Sequence, residues 1–296
     1  MIKNKKDKLV TALLEDANVR VIAISSKNLT EHARKIHGLS ATAAVALGRA
    51  LSAVAMQGAM LKTKNDKVSL IIDGGGPAGR IICTSDSKAN VKGYLANPVN
   101  DVPLNDKGEF NVGALVGKDG FLRIIRDMGL KEPYSGMIEL VSGEIANDLA
   151  HYYLKSEQQP SLVSLGVLID TDGSVKTAGG LIIMPMPGCD PDIIGKLEQR
   201  VMFTMDLSRQ LEAFELEDFL RALFRDMDYK QVSSLTPEYN CDCSRERISQ
   251  ALISIGEKDL REILEKDKRA SVTCHFCNTV YEFNEQKLEE LLEQIK

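Results

Sequence analysis

Four of the six cysteines fall in the last fifth of the chain, in two tight pairs. Cys241 and Cys243 flank Asp242 in "NCDCS"; Cys274 and Cys277 bound "CHFC" after an interval of thirty residues. Zinc takes four soft ligands in a tetrahedron, with Zn–S about 2.3 Å. A Cys-x-x-Cys turn sets two sulfurs at that spacing, and Cys-x-Cys does the same once its middle residue is turned outward. Two such pairs brought together make a closed four-thiolate site with no open coordination position, a structural rather than a hydrolytic geometry. We expect one zinc per chain, held by Cys241, Cys243, Cys274 and Cys277. His275, inside the second pair, is expected to be an exposed neighbour of the site.

Other chemistries compete for these thiols. A thioredoxin-like redox motif needs Cys-x-x-Cys at a helix N-terminus, yet "NTVYEF" after Cys277 favours a strand. A nucleic-acid-binding zinc ribbon usually has two Cys-x-x-Cys pairs some 15–20 residues apart. From Cys241 to Lys296 there are 12 acidic and 9 basic residues, so the segment is not basic. A constitutive zinc module binding protein or nucleic acid remains the rival class. A further reading keeps the metal and adds a switch. Oxidation would join Cys241 to Cys243 and Cys274 to Cys277 and expel the zinc. A Cys-x-Cys disulfide closes a very small ring and is readily reversed by reductants. Zinc supplies roughly 10–16 kcal/mol to a small domain, against about 5–15 kcal/mol for a whole domain's stability, so its loss should unfold the tail.

Composition sets the background. The chain has 296 residues, 44% hydrophobic and 27% charged, with net charge -5, which is globular and does not favour a nucleic-acid backbone as partner. There is no Trp, and aromatics are 5%, so base-stacking platforms are scarce. The apolar run Leu9 to Leu14 near the N-terminus is too short for a signal-peptide core. The Ala-rich stretch from Leu39 to Leu61 carries Arg49 in its middle and reads as a buried helix, not a membrane span. A cytosolic protein is expected, where permanent disulfides are rare.

The elements that must position the cysteines form an α+β chain. Residues 1–188 read as a core domain. "LVTALL" and "VRVIAIS" form a hairpin around "EDAN". A helix starts with Asn28 capping toward Glu31 and ends at His37-Gly38, and the Ala-rich helix follows from Ser40. "KVSLIID", "IICTSD", "VKGYLAN", "FLRIIRDM", "GMIELVSG", "SLVSLGVLID" and "KTAGGLIIMPMPG" read as strands, and "EIANDLAHYYLKSEQ" as a helix. Strands cluster rather than alternate with helices, which fits α+β. Residues 189–235 read as a helical connector. In it Leu216, Phe219, Leu220, Leu223, Phe224 and Met227 fall on one helical stripe; covered it is core, uncovered it is a candidate client-binding surface. Residues 236–296 read as the zinc-binding redox-switch domain. Its helix begins at Ser244, with Ile248, Leu252 and Ile255 on one face. A second helix lies over "EKDLREILEKD", and a hairpin turns at "CHFC". A last helix points Leu288, Leu291, Leu292 and Ile295 inward. Some 60 residues bury little by themselves, and a structural metal would supply what is missing.

Several motifs are set aside. Gly74, Gly76 and Gly79 match G-x-G-x-x-G, but a strand, "RIICTSD", follows where a nucleotide site needs a helix, so a tight turn is expected. Ser156 and Glu157 in "YYLKSEQQPS" lack a partnered His and acid. Cys83 reads as an inert core residue and Cys189 as an exposed turn residue without a partner. His32, His37 and His151 make no metal set.

"CDCSRERI" followed by "CHFCNTVYEFN" resembles the bacterial redox-regulated holdase chaperones, the thirty-three kilodalton heat-shock protein or 33 kDa chaperonin family. "HGLSATAAVALGRAL", "GGGPAG", "YYLKSEQQPS" and "AGGLIIMPMPG" look like family landmarks in the same order, so the resemblance spans nearly the whole chain. Two places depart from it: Met184-Pro185 stands where members often carry Gln, and "KDKRAS" where many have an acidic-Gly turn. The resemblance implies no enzyme. It implies a zinc-bound, inactive reduced form. On oxidation it implies two disulfides, Cys241-Cys243 and Cys274-Cys277, and an unfolded tail. The oxidised form would be a homodimer that binds unfolding proteins without ATP.

Overall fold

The structure, a computed structural model, describes residues 6–203 and 207–295. The chain divides into two compact units, residues 1–240 and residues 241–296. In the first, β1 (Lys8–Leu14) and β2 (Val19–Ser25) form the expected hairpin, followed by α1 (Lys27–His37) and α2 (Ala41–Gly58). Strands β3 (Lys67–Asp73), β4 (Ile81–Asp86) and β5 (Asn90–Leu95) come next, then α3 (Val112–Val116), β6 (Phe121–Asp127) and β7 (Tyr134–Glu139). Helix α4 (Ala146–Lys155) precedes β8 (Leu162–Ile169) and β9 (Val175–Pro185). Helices α5 (Pro191–Phe203), α6 (Leu207–Ala213) and α7 (Leu216–Leu223) lead to β10 (Tyr229–Leu235) and β11 (Glu238–Tyr239).

Two sheets result, ordered β10-β1-β2-β9-β8 and β11-β5-β4-β3-β6-β7. Helix α2 touches strands of both, and sixteen of its eighteen residues are buried. That placement explains its composition. A helix enclosed on all sides must be apolar all round, and small residues let its neighbours approach: a Cβ at Gly48 would stand 2.5 Å from Thr30 Cγ2 of α1, and one at Gly58 2.4 Å from Ser85 Oγ of β4. Arg49, the one charge in the run, pairs with Glu144 at 2.6 Å. Among the described residues no helix is long and apolar enough to cross a membrane. The α+β class expected from the sequence is the class observed.

Three local expectations change in the first unit. Helix α1 begins at Lys27, so Asn28 lies inside it and does not cap Glu31. The Asp7 carboxylate takes that role, accepting from the Asn28 backbone N–H at 2.9 Å and the Leu29 N–H at 2.7 Å. The segment expected to be wholly helical, 189–235, ends in β10, which adds to the edge of the sheet against β1. Its mixed composition hides an edge strand: in "YKQVSSL" five consecutive residues are exposed, so hydrophobicity does not mark it. The apolar stripe is also split. Helix α7 stops at Leu223, Phe224 is its C-cap residue, and Met227 lies beyond it.

Helices α5–α7 cover the outer face of the five-stranded sheet. Leu216, Phe219, Leu220 and Phe224 are buried with Val10, Leu14, Val21, Leu181 and Ile183, and Leu223 and Met227 pack against them. The "GGGPAG" segment is the expected turn between β3 and β4. Gly76 N–H donates to Val116 O at 3.0 Å, and a Cβ there would meet Leu115 O at 2.5 Å, so the glycines serve close backbone packing.

The second unit contains α8 (Arg245–Ser254), α9 (Glu257–Lys266), the hairpin β12 (Arg269–Thr273) and β13 (Val280–Asn284), and α10 (Glu285–Glu293). Ser244 caps α8 as expected, accepting from Arg247 N–H at 3.3 Å. Asn284 caps α10 in the same way. The core comprises Leu252, Leu260, Phe283, Leu288, Leu291 and Leu292, with Ile248 and Ile295 packed against it. Ile255, expected on the inner face of α8, is the helix's C-cap residue and is exposed.

Candidate metal centre

The local chain builds a concave sulfur cluster. The turn between β12 and β13 runs from Cys274 to Asn278. Cys274 N–H donates to Thr279 O at 2.9 Å, and Asn278 N–H donates back to Cys274 O at 2.8 Å. Asn278 sits in the left-handed region at φ 57°, a conformation that Asn tolerates better than most residues. The first pair lies just ahead of the α8 cap. Its spacer Asp242 is exposed and held outward by Arg247, which contacts the Asp242 carboxylate at 2.5 Å and donates to its carbonyl at 2.9 Å. With Asp242 turned away, both sulfurs of a Cys-x-Cys can face the same point.

All four sulfurs lie within 4.8 Å of one another. Cys241 Sγ is 3.7 Å from Cys274 Sγ, and Cys243 Sγ is 3.4 Å from Cys277 Sγ. A tetrahedron with metal–sulfur bonds of about 2.3 Å has edges of about 3.8 Å, so the cluster matches that size within about 1 Å. The donor set is four soft thiols, the set that selects zinc or iron–sulfur chemistry. Cys274 is buried and the other three are half-buried, while His275 is exposed. The four expected residues therefore meet, and together they can hold a metal ion.

The sulfurs are electrostatically unequal. Burial pushes the Cys241 thiol up, against the backbone N–H of Cys243. Burial also raises Cys274, against N–H bonds from Phe276 and Cys277. Burial acts on Cys277 as well, but hydrogen bonds from the Thr279 hydroxyl and backbone and from Cys243 and Cys241 outweigh it and bring the thiol down to about 7. Tyr281 donates to Cys243 Sγ at 3.1 Å, and that bond, with burial, holds its phenol up to about 12. A cation among the sulfurs favours all four as thiolates.

Thr279 and Tyr281 were not singled out in the sequence. Their signal was available: two hydroxyl residues at alternate positions after Cys277 leave the same side of an extended chain. The residues set aside behave structurally. Glu157 accepts from the buried Tyr152 hydroxyl at 2.7 Å and from Arg126 at 2.8 Å. Cys83 is fully buried and its thiol is pushed up by burial. Cys189 packs against the α5–α7 core cluster. His37 Nε2 lies 3.1 Å from Gly93 O and 3.2 Å from the Tyr239 hydroxyl. His151 lines an apolar cavity of about 350 Å³ with Val141, Leu154 and Leu162.

Comparisons with known proteins agree on one relationship. The family profile described as Hsp33 protein matches residues 7–284. The chain is 45% identical over 289 residues to the 33 kDa chaperonin of Clostridium botulinum strain Langeland, covering 97% of this chain and 98% of that protein. It is 46% identical over 294 residues to the 33 kDa chaperonin of Clostridium acetobutylicum, covering 98% of each. The crystal structure of the 33 kDa chaperonin (heat shock protein 33 homolog) of Thermotoga maritima superposes with a TM-score of 0.89 at 37% identity, over 98% of this chain and 99% of that one.

Proposed function

The chain belongs to the Hsp33 protein family, and from that premise we propose that it is a redox-regulated, ATP-independent holdase. The reading is carried by one observation: four sulfurs from two tight sequence pairs converge within 4.8 Å. In the reduced protein Cys241, Cys243, Cys274 and Cys277 hold one zinc. Bound there, zinc keeps the sulfurs as thiolates and ties the α8 end of the unit to the β12–β13 turn.

Peroxide then drives the switch. A thiolate attacks one oxygen of hydrogen peroxide, a sulfur–oxygen bond forms, and hydroxide leaves. The second sulfur of the pair displaces hydroxide from that sulfenic acid and closes the disulfide. Each pair gives two electrons to one peroxide, so Cys241-Cys243 and Cys274-Cys277 consume two. The small apolar core of residues 241–296 does not hold alone, and the tail unfolds. The clients are unfolding cytosolic proteins. Two apolar surfaces can take them once α5–α7 open: the stripe of Leu216, Phe219, Leu220, Leu223, Phe224 and Met227, and the sheet face beneath it. The oxidised form acts as a homodimer.

Zinc and thiols counted before and after oxidation test this directly. We expect one zinc and four accessible tail thiols per reduced chain, and loss of both after peroxide at mildly raised temperature. The oxidised protein should suppress aggregation of a thermally unfolding client far more than the reduced protein. Retention of zinc in fully oxidised protein sinks the switch. Equal activity in both states leaves a constitutive zinc module, and salt-dependent RNA or DNA binding would identify it as an adaptor.

A further inference from the structure

Two hydroxyl groups stand beside the sulfur cluster, and the following rests on the zinc reading above. Tyr281 donates to Cys243 Sγ at 3.1 Å. Thr279 Oγ1 lies 3.2 Å from Cys277 Sγ. The two residues are separated by one position on the extended chain entering β13, so both side chains leave the same side. The sulfurs they reach come from different pairs and are neighbours at 3.4 Å. Between them the two hydroxyls thus reach one sulfur of each disulfide that oxidation would form, Tyr281 in the first pair and Thr279 in the second. Cys241, Cys274 and Cys277 also take hydrogen bonds from backbone N–H groups, which side-chain substitution leaves in place.

We propose that Tyr281 and Thr279 are positioning residues that set the oxidant threshold, by hydrogen-bonding Cys243 and Cys277 in the zinc-bound site. The physical argument concerns the sulfur lone pair. To react, a thiolate must push an electron pair onto a peroxide oxygen, forming S–O as O–O breaks and hydroxide departs. A hydroxyl hydrogen on that sulfur withdraws density from the same lone pairs and occupies part of the approach. Hydrogen bonds to charged acceptors are the stronger kind, and groups that bond metal ligands orient them and tune the site. The hydroxyls therefore hold the switch closed against low oxidant. The Tyr281 ring also packs at the edge of the unit's core, and Phe at this position keeps that packing while removing only the donor.

The test uses the full chain, reduced and loaded with zinc, as Tyr281→Phe, Thr279→Val and Thr279→Ser. Zinc release into a chromogenic chelator is followed at fixed peroxide, and each variant is also loaded with cobalt. Tyr281→Phe should release zinc about 3–10-fold faster than wild type, with unchanged zinc content and far-UV dichroism beforehand. Its thiolate-to-cobalt absorption should move to longer wavelength, because an unbonded thiolate gives up charge more easily. Thr279→Val should shift both readouts in the same direction by less, and Thr279→Ser, which keeps the hydroxyl, should match wild type. Release rates and cobalt spectra equal to wild type in Tyr281→Phe and Thr279→Val overturn the proposal. Should Tyr281→Phe fail to load metal, the Val and Ser variants at Thr279 decide it by the same readouts. A wild-type chain that takes up neither zinc nor cobalt overturns the zinc reading itself, and the proposal with it.

Discussion

The two units are held together by different means. In residues 1–240 a helix with sixteen buried residues lies between two sheets, and a second apolar cluster covers the outer face of one of them. In residues 241–296 the fully formed core is six side chains. Domains of this size bury only about 60% of the surface their unfolded chains expose and are marginal. The large unit is stabilised by apolar burial. If the four sulfurs hold zinc as proposed, the small one depends on groups that oxidants attack, and sensitivity would then be greatest in the part of the chain with the least hydrophobic stabilisation.

The largest effect should come from breaking that dependence. On the zinc reading proposed above, Cys274→Ser removes a buried ligand and strong chelation removes the metal from all four. Either should abolish amide-exchange protection throughout α8, α9 and α10, because the apparent metal contribution, roughly 10–16 kcal/mol, exceeds what the tail core provides. Protection in β3, β4 and α2 should persist. Protected tail amides in the metal-free protein would show that the small unit stands alone and would erase the contrast.

The next effect falls on the helical cover of the large unit. Leu220 and Phe224 are 0% and 1% exposed, and Leu220→Ser or Phe224→Ser should each destabilise α5–α7 by about 3–5 kcal/mol. The reduced double variant then separates two client surfaces. Holdase activity without oxidation would mark the cover as a lid over the sheet face, with Val10, Val21 and Leu181 as client contacts. Loss of activity in the oxidised double variant would mark the stripe itself as the contact.

What could be read from the sequence follows from how local each feature is. The two cysteine pairs, the Ala-rich helix from Ser40, the cap at Ser244 and the strands of the core are set by neighbours a few residues apart. The structure keeps them. Features that depend on distant partners were harder to see. The strand β10 is exposed over most of its length and is held by pairing with β1, more than two hundred residues earlier. Helix α1 starts early because Asp7, twenty-one residues back, caps it. The stripe from Leu216 to Met227 predicts burial correctly but not where α7 stops, since residues past the helix end still reach the same apolar face. At the sulfur cluster the paired cysteines are a strong signal, whereas the alternation of Thr279 and Tyr281 is a weak one. A hydroxyl beside a strand has many uses, and only the hairpin turn brings these two to sulfur.

The smallest of the expected effects is carried by acid, and it acts on the two units in opposite directions. Asp7 is buried beneath α1. Burial pushes its carboxyl up to about 6, against the hydrogen bonds from Asn28 and Leu29. An acid whose folded value exceeds the ordinary value of 3.8 holds its proton better folded than unfolded. Folding of the large unit is therefore favoured by that proton below about pH 4. The advantage is lost progressively as pH rises to about 6, a decline of about 2–3 kcal/mol. Asp7→Asn should lack the decline, so the stability difference between the two proteins, followed on the amides of α1 and β2, should change between pH 4 and 6 and be flat above. A difference independent of pH would mean that the carboxyl titrates alike in both states. If the four sulfurs of the small unit hold zinc as proposed, protons compete with the metal for them, and acid should weaken the tail as it strengthens the region around Asp7. Exchange measured as the pH is lowered across this range should show α1 tightening and α8–α10 loosening in the same samples, because one unit buries a carboxyl and the other, on the proposed reading, needs its thiols deprotonated to hold metal.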